Sequence, residues 1–216
     1  MKLLQIGTGP GNGLAVARKF GKAGFEILMV ARNQVKLEQY QTELAAEGIK
    51  AQGFAADIAD EVAFAAVLAD IVAQYQDIEV LHYNASAYNP ATPSKMSIPV
   101  LISDFKTSVV GAVVAVQAVF PQMEARKQGC ILLTGGGTAL KAPASLASLG
   151  IGKAGLRNLA FSLAEECAPA GVHVATITIS GMVKPGTHFD PALIADEFWR
   201  LYEQKEADWE VEVHWK

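Results

Sequence analysis

The chain has 216 residues, a formal net charge of −4, and 51% apolar against 19% charged residues. That length and composition fit one large domain with a sizeable core and exclude a disordered chain. The acidic balance and the lack of a Lys/Arg-rich run argue against nucleic acid as a partner.

The longest apolar run, Val109 to Val116, is well short of the roughly 20 residues of a membrane-spanning helix, so no membrane segment is expected. Cys130 and Cys167 lie inside apolar patterns, without metal-ligand spacing or a disulfide framework. No metal site is therefore expected, and a reducing compartment is. Met1-Lys2-Leu3 runs directly into the first apolar run, which leaves no room for a signal peptide; the expected location is cytoplasmic.

Short apolar runs alternate with long amphipathic stretches from end to end. Strands are expected at Lys2–Ile6, Glu26–Val30, Ala51–Ala55, Ile78–Tyr83, Cys130–Thr134, His173–Ile179 and Glu210–Trp215. Helices are expected at Gly13–Gly24, Gln34–Gly48, Asp60–Tyr75, Ile98–Arg126, Leu146–Ala168 and Pro191–Gln204. Gly24 and Gly48 stand where a helix end takes positive φ, Asp60 and Asp77 suit a cap and a turn, and Tyr88–Ser94 is a loop by composition. This rhythm predicts an α/β fold: one three-layer αβα domain, residues 1–216, on a doubly wound, mostly parallel seven-stranded sheet.

Directly after the first strand comes Gly7-Thr8-Gly9-Pro10-Gly11-Asn12-Gly13, and a helical pattern follows it. Strand, glycine turn and helix let backbone lie against a ligand and aim the helix's first N–H groups at an anion, most often a pyrophosphate. Gly7, Gly9, Gly11, Asn12 and Gly13 are the candidate cofactor residues of that loop. The spacing Gly-x-x-x-Gly-x-Gly departs from the common Gly-x-Gly-x-x-Gly, because Asn12 stands at its third glycine. A Walker loop is excluded, since no Gly-Lys pair has a glycine five residues ahead. The alternative is a tight turn that binds nothing.

Further along, the second strand ends Val30-Ala31-Arg32-Asn33 with no carboxylate to hold a ribose 2′-hydroxyl. Arg32 offers a guanidinium instead, which favours a 2′-phosphate and hence NADP over NAD; otherwise it is a surface arginine. Asp57 follows the third strand and suits either an adenine amino group or a turn cap. Asn84-Ala85-Ser86 ends the fourth, where small residues permit close approach to a ribose.

These motifs together resemble the short-chain dehydrogenase/reductase family over nearly the whole chain. Gly7-x-x-x-Gly11-x-Gly13 is similar to the family's cofactor loop, Asp57 to its adenine-contacting aspartate and Asn84-Ala85-Ser86 to its Asn-Ala-Gly motif. Gly152-Lys153-Ala154-Gly155 resembles the helix bearing its catalytic lysine. The resemblance implies a Rossmann-like fold, and Lys153 as the residue that holds the nicotinamide ribose. It also implies a tyrosine four residues before the lysine and a serine about 13 before that, positions here held by Leu149 and Gly136. Ser108, three residues before Gly111, stands where the family has a helix asparagine.

With the tyrosine missing, another donor of a proton is needed. Tyr88 is the first candidate, as a loop residue just past Asn84-Ala85-Ser86; Tyr83, Ser148, Thr134, Thr138 and His188 are further ones. Lys153, Tyr88 and Ser108 thus form the expected catalytic set. His82 is read as a satisfied core histidine. Three functions are weighed: an NADP-dependent oxidoreductase acting on a small carbonyl or alcohol with a non-standard proton donor, a non-catalytic nucleotide-binding sensor or partner subunit, and a relative that binds no dinucleotide. Helices 98–126 and 146–168 are apolar on more than one side, which predicts a homodimer or homotetramer, as relatives commonly pair through these helices.

Overall fold

A computed structural model describes all 216 residues. The strands are β1 (Lys2–Ile6), β2 (Glu26–Ala31), β3 (Ala51–Ala55), β4 (Ile78–Tyr83), β5 (Gly129–Thr134), β6 (Val172–Ile179) and β7 (Glu212–Trp215). They form one seven-stranded sheet in the order β3-β2-β1-β4-β5-β6-β7, and every pairing is parallel. The helices are α1 (Asn12–Lys22), α2 (Gln34–Ala46), α3 (Glu61–Gln74), α4 (Ile98–Phe105), α5 (Gly111–Arg126), α6 (Ala147–Cys167) and α7 (Pro191–Tyr202).

A parallel sheet needs helices on both faces, and alternate strand residues feed two separate cores. Leu4, Ile6, Leu28, Leu81 and Ile131 pack under α3, α5 and α6, through Phe64, Ala112, Val119 and Leu156. Leu3, Ile27, Met29, Val80 and Leu132 pack under α1, α2 and α7, through Leu14, Phe20, Leu37 and Phe198. The chain leaves β1 in one direction through β2 and β3, then crosses to β4 on the other side of β1. The loops after β1 and β4 therefore part at a topological switch, where a doubly wound sheet opens a crevice.

Caps fall where side-chain chemistry supplies them. Asn33 accepts from the Lys36 amide at 3.0 Å, Asp60 from Ala63 at 3.1 Å and Asp190 from Ala192 at 2.9 Å. Gly24 and Gly48 carry positive φ at their helix ends, as expected.

Two departures from the sequence reading matter. The last strand starts at Glu212 rather than Glu210, whose carboxylate instead takes Arg200 at 2.6 Å. The expected helix Ile98–Arg126 forms over its full length, but winds as a π turn at Lys106–Val110 between α4 and α5. Within that turn the Thr107 carbonyl also accepts from the Tyr83 hydroxyl at 2.5 Å. Gly111 makes room for that contact, since a Cβ there would lie 2.5 Å from the Tyr83 oxygen. The whole segment is long and apolar enough to cross a bilayer. In this fold, however, Ala112, Ala115, Val116, Val119 and Met123 are buried under the sheet.

Candidate functional site

The glycine stretch lies at the C-terminal end of β1. Gly7 has φ +87°, and a Cβ there would fall 2.5 Å from the Ala85 nitrogen, so the β1 and β4 ends meet backbone to backbone. Its N–H donates to the Val30 carbonyl at 2.8 Å, and its own carbonyl accepts from the Asn84 side chain at 2.9 Å. Asn84 and Ala85 thus hold the loop as well as border the groove. Beyond Gly7, open space lies beside Gly9, and α1 begins without any side-chain cap. A helix start of that kind keeps N–H donors for an anion.

Two connected hollows run along the C-terminal strand ends and share Asn84 and Ser86. The first, about 780 Å³, is bordered by Gly9 to Gly13, Gly135 to Thr138, Leu149, Lys153 and Ser180. The second, about 610 Å³, is bordered by Gly7, Arg32, Asn33, Lys36, Asp57, Ala85 and Tyr88, among others. Arg32 and Lys36 are exposed and form no ion pair. Asp57 accepts from the Ala59 amide at 3.1 Å with one oxygen, so its turn-capping role is realised at the rim of the groove.

In the first hollow, Lys153 is 7% exposed and donates from Nζ to the Thr134 carbonyl at 2.6 Å. Burial pushes its pKa down to about 8. Leu149, one turn earlier on α6, lines the same hollow, and Gly136 lies beside the lysine stem. The lysine is in place; the wall where the tyrosine and serine would stand is aliphatic and bare.

The other proton-donor candidates are distributed differently. Tyr88 is 52% exposed and borders the second hollow, away from Lys153 and Leu149, because the loop runs outward after Ala87. Ser108 is 1% exposed, accepts the Ala87 amide at 3.3 Å and packs against Gly152. It steadies the loop after β4 and reaches neither hollow. Both are corrections to the expected catalytic set, of which only Lys153 lines the deep cleft. Tyr83 is fully buried and held by Thr107, and burial drives its hydroxyl far above the ordinary tyrosine range. Ser148 is buried and leans on the Asn89 carbonyl at 3.4 Å. His188 is exposed and stacks on Trp215 at 5.0 Å. Thr134 and Thr138 do line the cleft.

Lys36 was not among the sequence candidates, although its position four residues after Arg32 at a helix start was a usable signal. The residues present fit an anionic dinucleotide. The α1 start is uncapped and two cations without ion pairs border the far end; the buried, unpartnered Asn12 Oδ1 is an acceptor and suits a hydroxyl rather than a phosphate. No group of three or more His, Cys, Asp or Glu side chains converges as a metal site would need.

Comparison with known proteins agrees with this geometry. The family model described as short chain dehydrogenase matches residues 3–193. The chain is 30% identical to 2,3-dihydro-2,3-dihydroxybenzoate dehydrogenase of Bacillus subtilis (strain 168) over 195 residues, 88% of this chain and 72% of that protein. It is 27% identical to tropinone reductase-like 3 of Erythroxylum coca over 161 residues, 74% of this chain and 61% of that one. The chain spans 61% and 65% of the lengths of that protein and of dehydrogenase/reductase SDR family member 4 of Mus musculus. Among solved structures, a short-chain dehydrogenase from Rhodopseudomonas palustris superposes with a TM-score of 0.88 at 28% identity, covering 99% of this chain and 96% of that one. A metagenomic short-chain oxidoreductase in complex with NADP gives 0.90 at 27% identity, with the same coverage.

Proposed function

The chain belongs to the short chain dehydrogenase family, and from that premise we propose that it is an NADP(H)-dependent oxidoreductase acting on a small carbonyl or alcohol. The observation that carries the reading is Lys153, buried at the wall of a cleft whose opposite rim is the glycine loop. Bound NADPH supplies the hydride. Gly9, Gly11, Asn12 and Gly13 would take the pyrophosphate, Asn84 and Ala85 the adjoining ribose, and Lys153 the nicotinamide ribose. Asp57 would border the adenine, with Arg32 and Lys36 around a 2′-phosphate. The similar NADP-bound metagenomic enzyme is consistent with NADP and leaves the preference over NAD as part of this proposal.

The proton is supplied differently from the family's tyrosine route. Lys153 Nζ, with its pKa down to about 8, is mostly protonated at pH 7. It can hydrogen-bond the oxygen that gains charge as hydride arrives, and pass it a proton. Thr138 and water in the cleft are the remaining donors. Turnover is therefore slow compared with a tyrosine-bearing site, since positioned acid–base help is worth on the order of 10²–10⁴-fold.

Exposed Ile98, Val100, Ile102 and Phe105 around α4 and Ile151 and Phe161 on α6 support self-association into a homodimer or homotetramer. Sedimentation showing only a 22.9 kDa species at micromolar concentration speaks against it. A cytoplasmic location completes the proposal and rests on the two buried free cysteines.

Titration with NADPH and NADH, read by energy transfer from the tryptophans, tests the reading directly. NADPH binding in the micromolar range with slow reduction of aldehydes or ketones is the expected result. No binding of either nucleotide at millimolar concentration overturns it, and tight binding without turnover on any carbonyl reduces it to a nucleotide-sensing role.

A further inference from the structure

Beneath the cleft, four polar side chains replace apolar packing in the middle of the sheet. Gln5 on β1 and His82 on β4 are in register with each other and are both fully buried. Thr8 and Thr134 are 7% and 6% exposed. Gln5 Nε2 donates to the Gly13 carbonyl at 2.9 Å and contacts His82 Nδ1 at 3.1 Å. A carbonyl only accepts, so the amide nitrogen must be the atom facing both, and Nδ1 must be an acceptor. The proton of neutral His82 then sits on Nε2, which donates to the Thr134 hydroxyl at 3.0 Å. Gln5 Oε1 takes the Thr8 hydroxyl at 2.8 Å, and the Thr134 carbonyl takes Lys153 Nζ at 2.6 Å.

The result is an unbroken buried run from the glycine loop to the lysine, crossing β1, β4 and β5. Apolar residues of similar size at Gln5 and His82 would fill the same space between the strands, but would leave the Gly13 carbonyl and the Thr8 and Thr134 hydroxyls without these partners. A fully satisfied buried network does fix geometry, because each member has only one place where its bonds are met. Burial, and next the charge on Lys153, hold the His82 pKa down to about 3, so the ring is a fixed neutral dipole.

We propose that Gln5 and His82 are positioning residues that set the glycine loop and Lys153 in register with each other, so that one dinucleotide meets both. The Gly13 carbonyl is held at one end by Gln5 and the Thr134 side chain at the other by His82, across the neighbouring strands β1, β4 and β5, and the carbonyl of the same Thr134 takes Lys153. The consequence for binding rests on the dinucleotide reading above; the mechanical link between the two ends does not.

The test compares Gln5→Val with His82→Val in one chain, and His82→Gln alone. The apolar pair removes both ends of the Gln5–His82 bond together; because Gly13, Thr8 and Thr134 each lose a partner, it should melt below the natural protein while still folding. His82→Gln keeps an acceptor towards Gln5 and a donor towards Thr134. Two readouts are taken: the rate at which an amine-directed reagent labels Lys153 in the free protein, followed by mass spectrometry, and NADPH affinity. The apolar pair should label at least fivefold faster and bind NADPH at least fivefold more weakly, while His82→Gln stays within twofold on both. Labelling at the natural rate in a folded apolar pair overturns the link. If the natural protein binds no NADPH, the dinucleotide reading falls while the labelling arm still decides this one. Should the apolar pair not fold, Thr134→Val cuts the same run at its last hydroxyl; it should label at least threefold faster, and an unchanged rate overturns the proposal.

Discussion

Leu149 and Lys153 stand one helical turn apart on α6 and line the same cleft, so an aliphatic side chain occupies the place beside the buried ammonium from which a tyrosine hydroxyl would act. Gly136 faces them with room to spare. A Cβ there would lie no closer than 3.6 Å to the lysine stem, and its φ of −165° is extended backbone open to any residue. Leu149→Tyr combined with Gly136→Ser should raise NADPH-dependent carbonyl reduction by at least tenfold, within the range positioned acid–base help supplies. A double variant that binds NADPH normally and shows no gain would mean the substrate side of the cleft has diverged as well.

Lys153 makes the fold sensitive to alkali in an unusual direction. Its folded pKa of about 8 lies below its ordinary value of 10.5, so between those values the unfolded chain binds the proton that the folded one sheds. Stability from this residue therefore rises with pH from about 8 to 10.5, and below about 8 the buried charge carries its full cost. At about 1.4 kcal/mol for each pH unit, that cost is on the order of 3 kcal/mol. Lys153→Met should unfold at higher denaturant concentration than the natural protein at pH 7, lose most of the difference by pH 10, and bind NADPH at least tenfold more weakly.

His82 has a pH signature of the same sign in a lower window. Its folded pKa, about 3, is below the ordinary 6.5, so the unfolded state takes up the proton first as pH falls. The folded state loses stability from about pH 6.5 downwards, by about 2–3 kcal/mol at pH 4.5. His82→Gln should flatten that part of the stability curve in urea titrations at pH 7, 5.5 and 4.5. An unchanged slope would locate the acid sensitivity in other residues.

Arg32 and Lys36 are the two free cations at the adenosine end of the groove. Arg32→Ala should weaken NADPH by about tenfold and NADH by less than twofold, as expected for loss of a guanidinium from a phosphate. Lys36→Ala should show the same asymmetry at about half the size in free energy. Equal losses for the two nucleotides remove the 2′-phosphate assignment.

Gly7 is the least replaceable residue of the loop. Alanine would have to adopt φ +87° and would meet Ala85 backbone at 2.5 Å, so Gly7→Ala should cost at least 2 kcal/mol in denaturant unfolding. Gly9→Ala, with open space beside it, should leave folding intact and weaken NADPH alone.

The alternation of apolar runs and helical stretches was enough to lay out the αβα layers, because a parallel strand must be apolar on both faces and a covering helix on one. The placement of the glycine loop, Arg32, Asp57 and Asn84 along one groove was legible too, since each sits at a strand end or helix start that local sequence marks, whereas Lys153 lies inside α6 and was marked by the Gly152-Lys153-Ala154-Gly155 run. So was the loss of the tyrosine and serine, which is a matter of counting from Lys153 to Leu149 and Gly136. What only the tertiary structure decided depends on contacts between distant strands and helices. The π turn at Lys106–Val110 holds a Thr107 carbonyl bonded by a Tyr83 hydroxyl 24 positions away, and helical periodicity carries no trace of that contact. Tyr88 and Ser108 are excluded from the deep cleft by the path of a loop and the packing of Gly152. Above all, Gln5, His82 and Thr134 are single polar residues in apolar runs, ambiguous one by one. Only the register of β1, β4 and β5 joins them into a bonded path from Gly13 to Lys153.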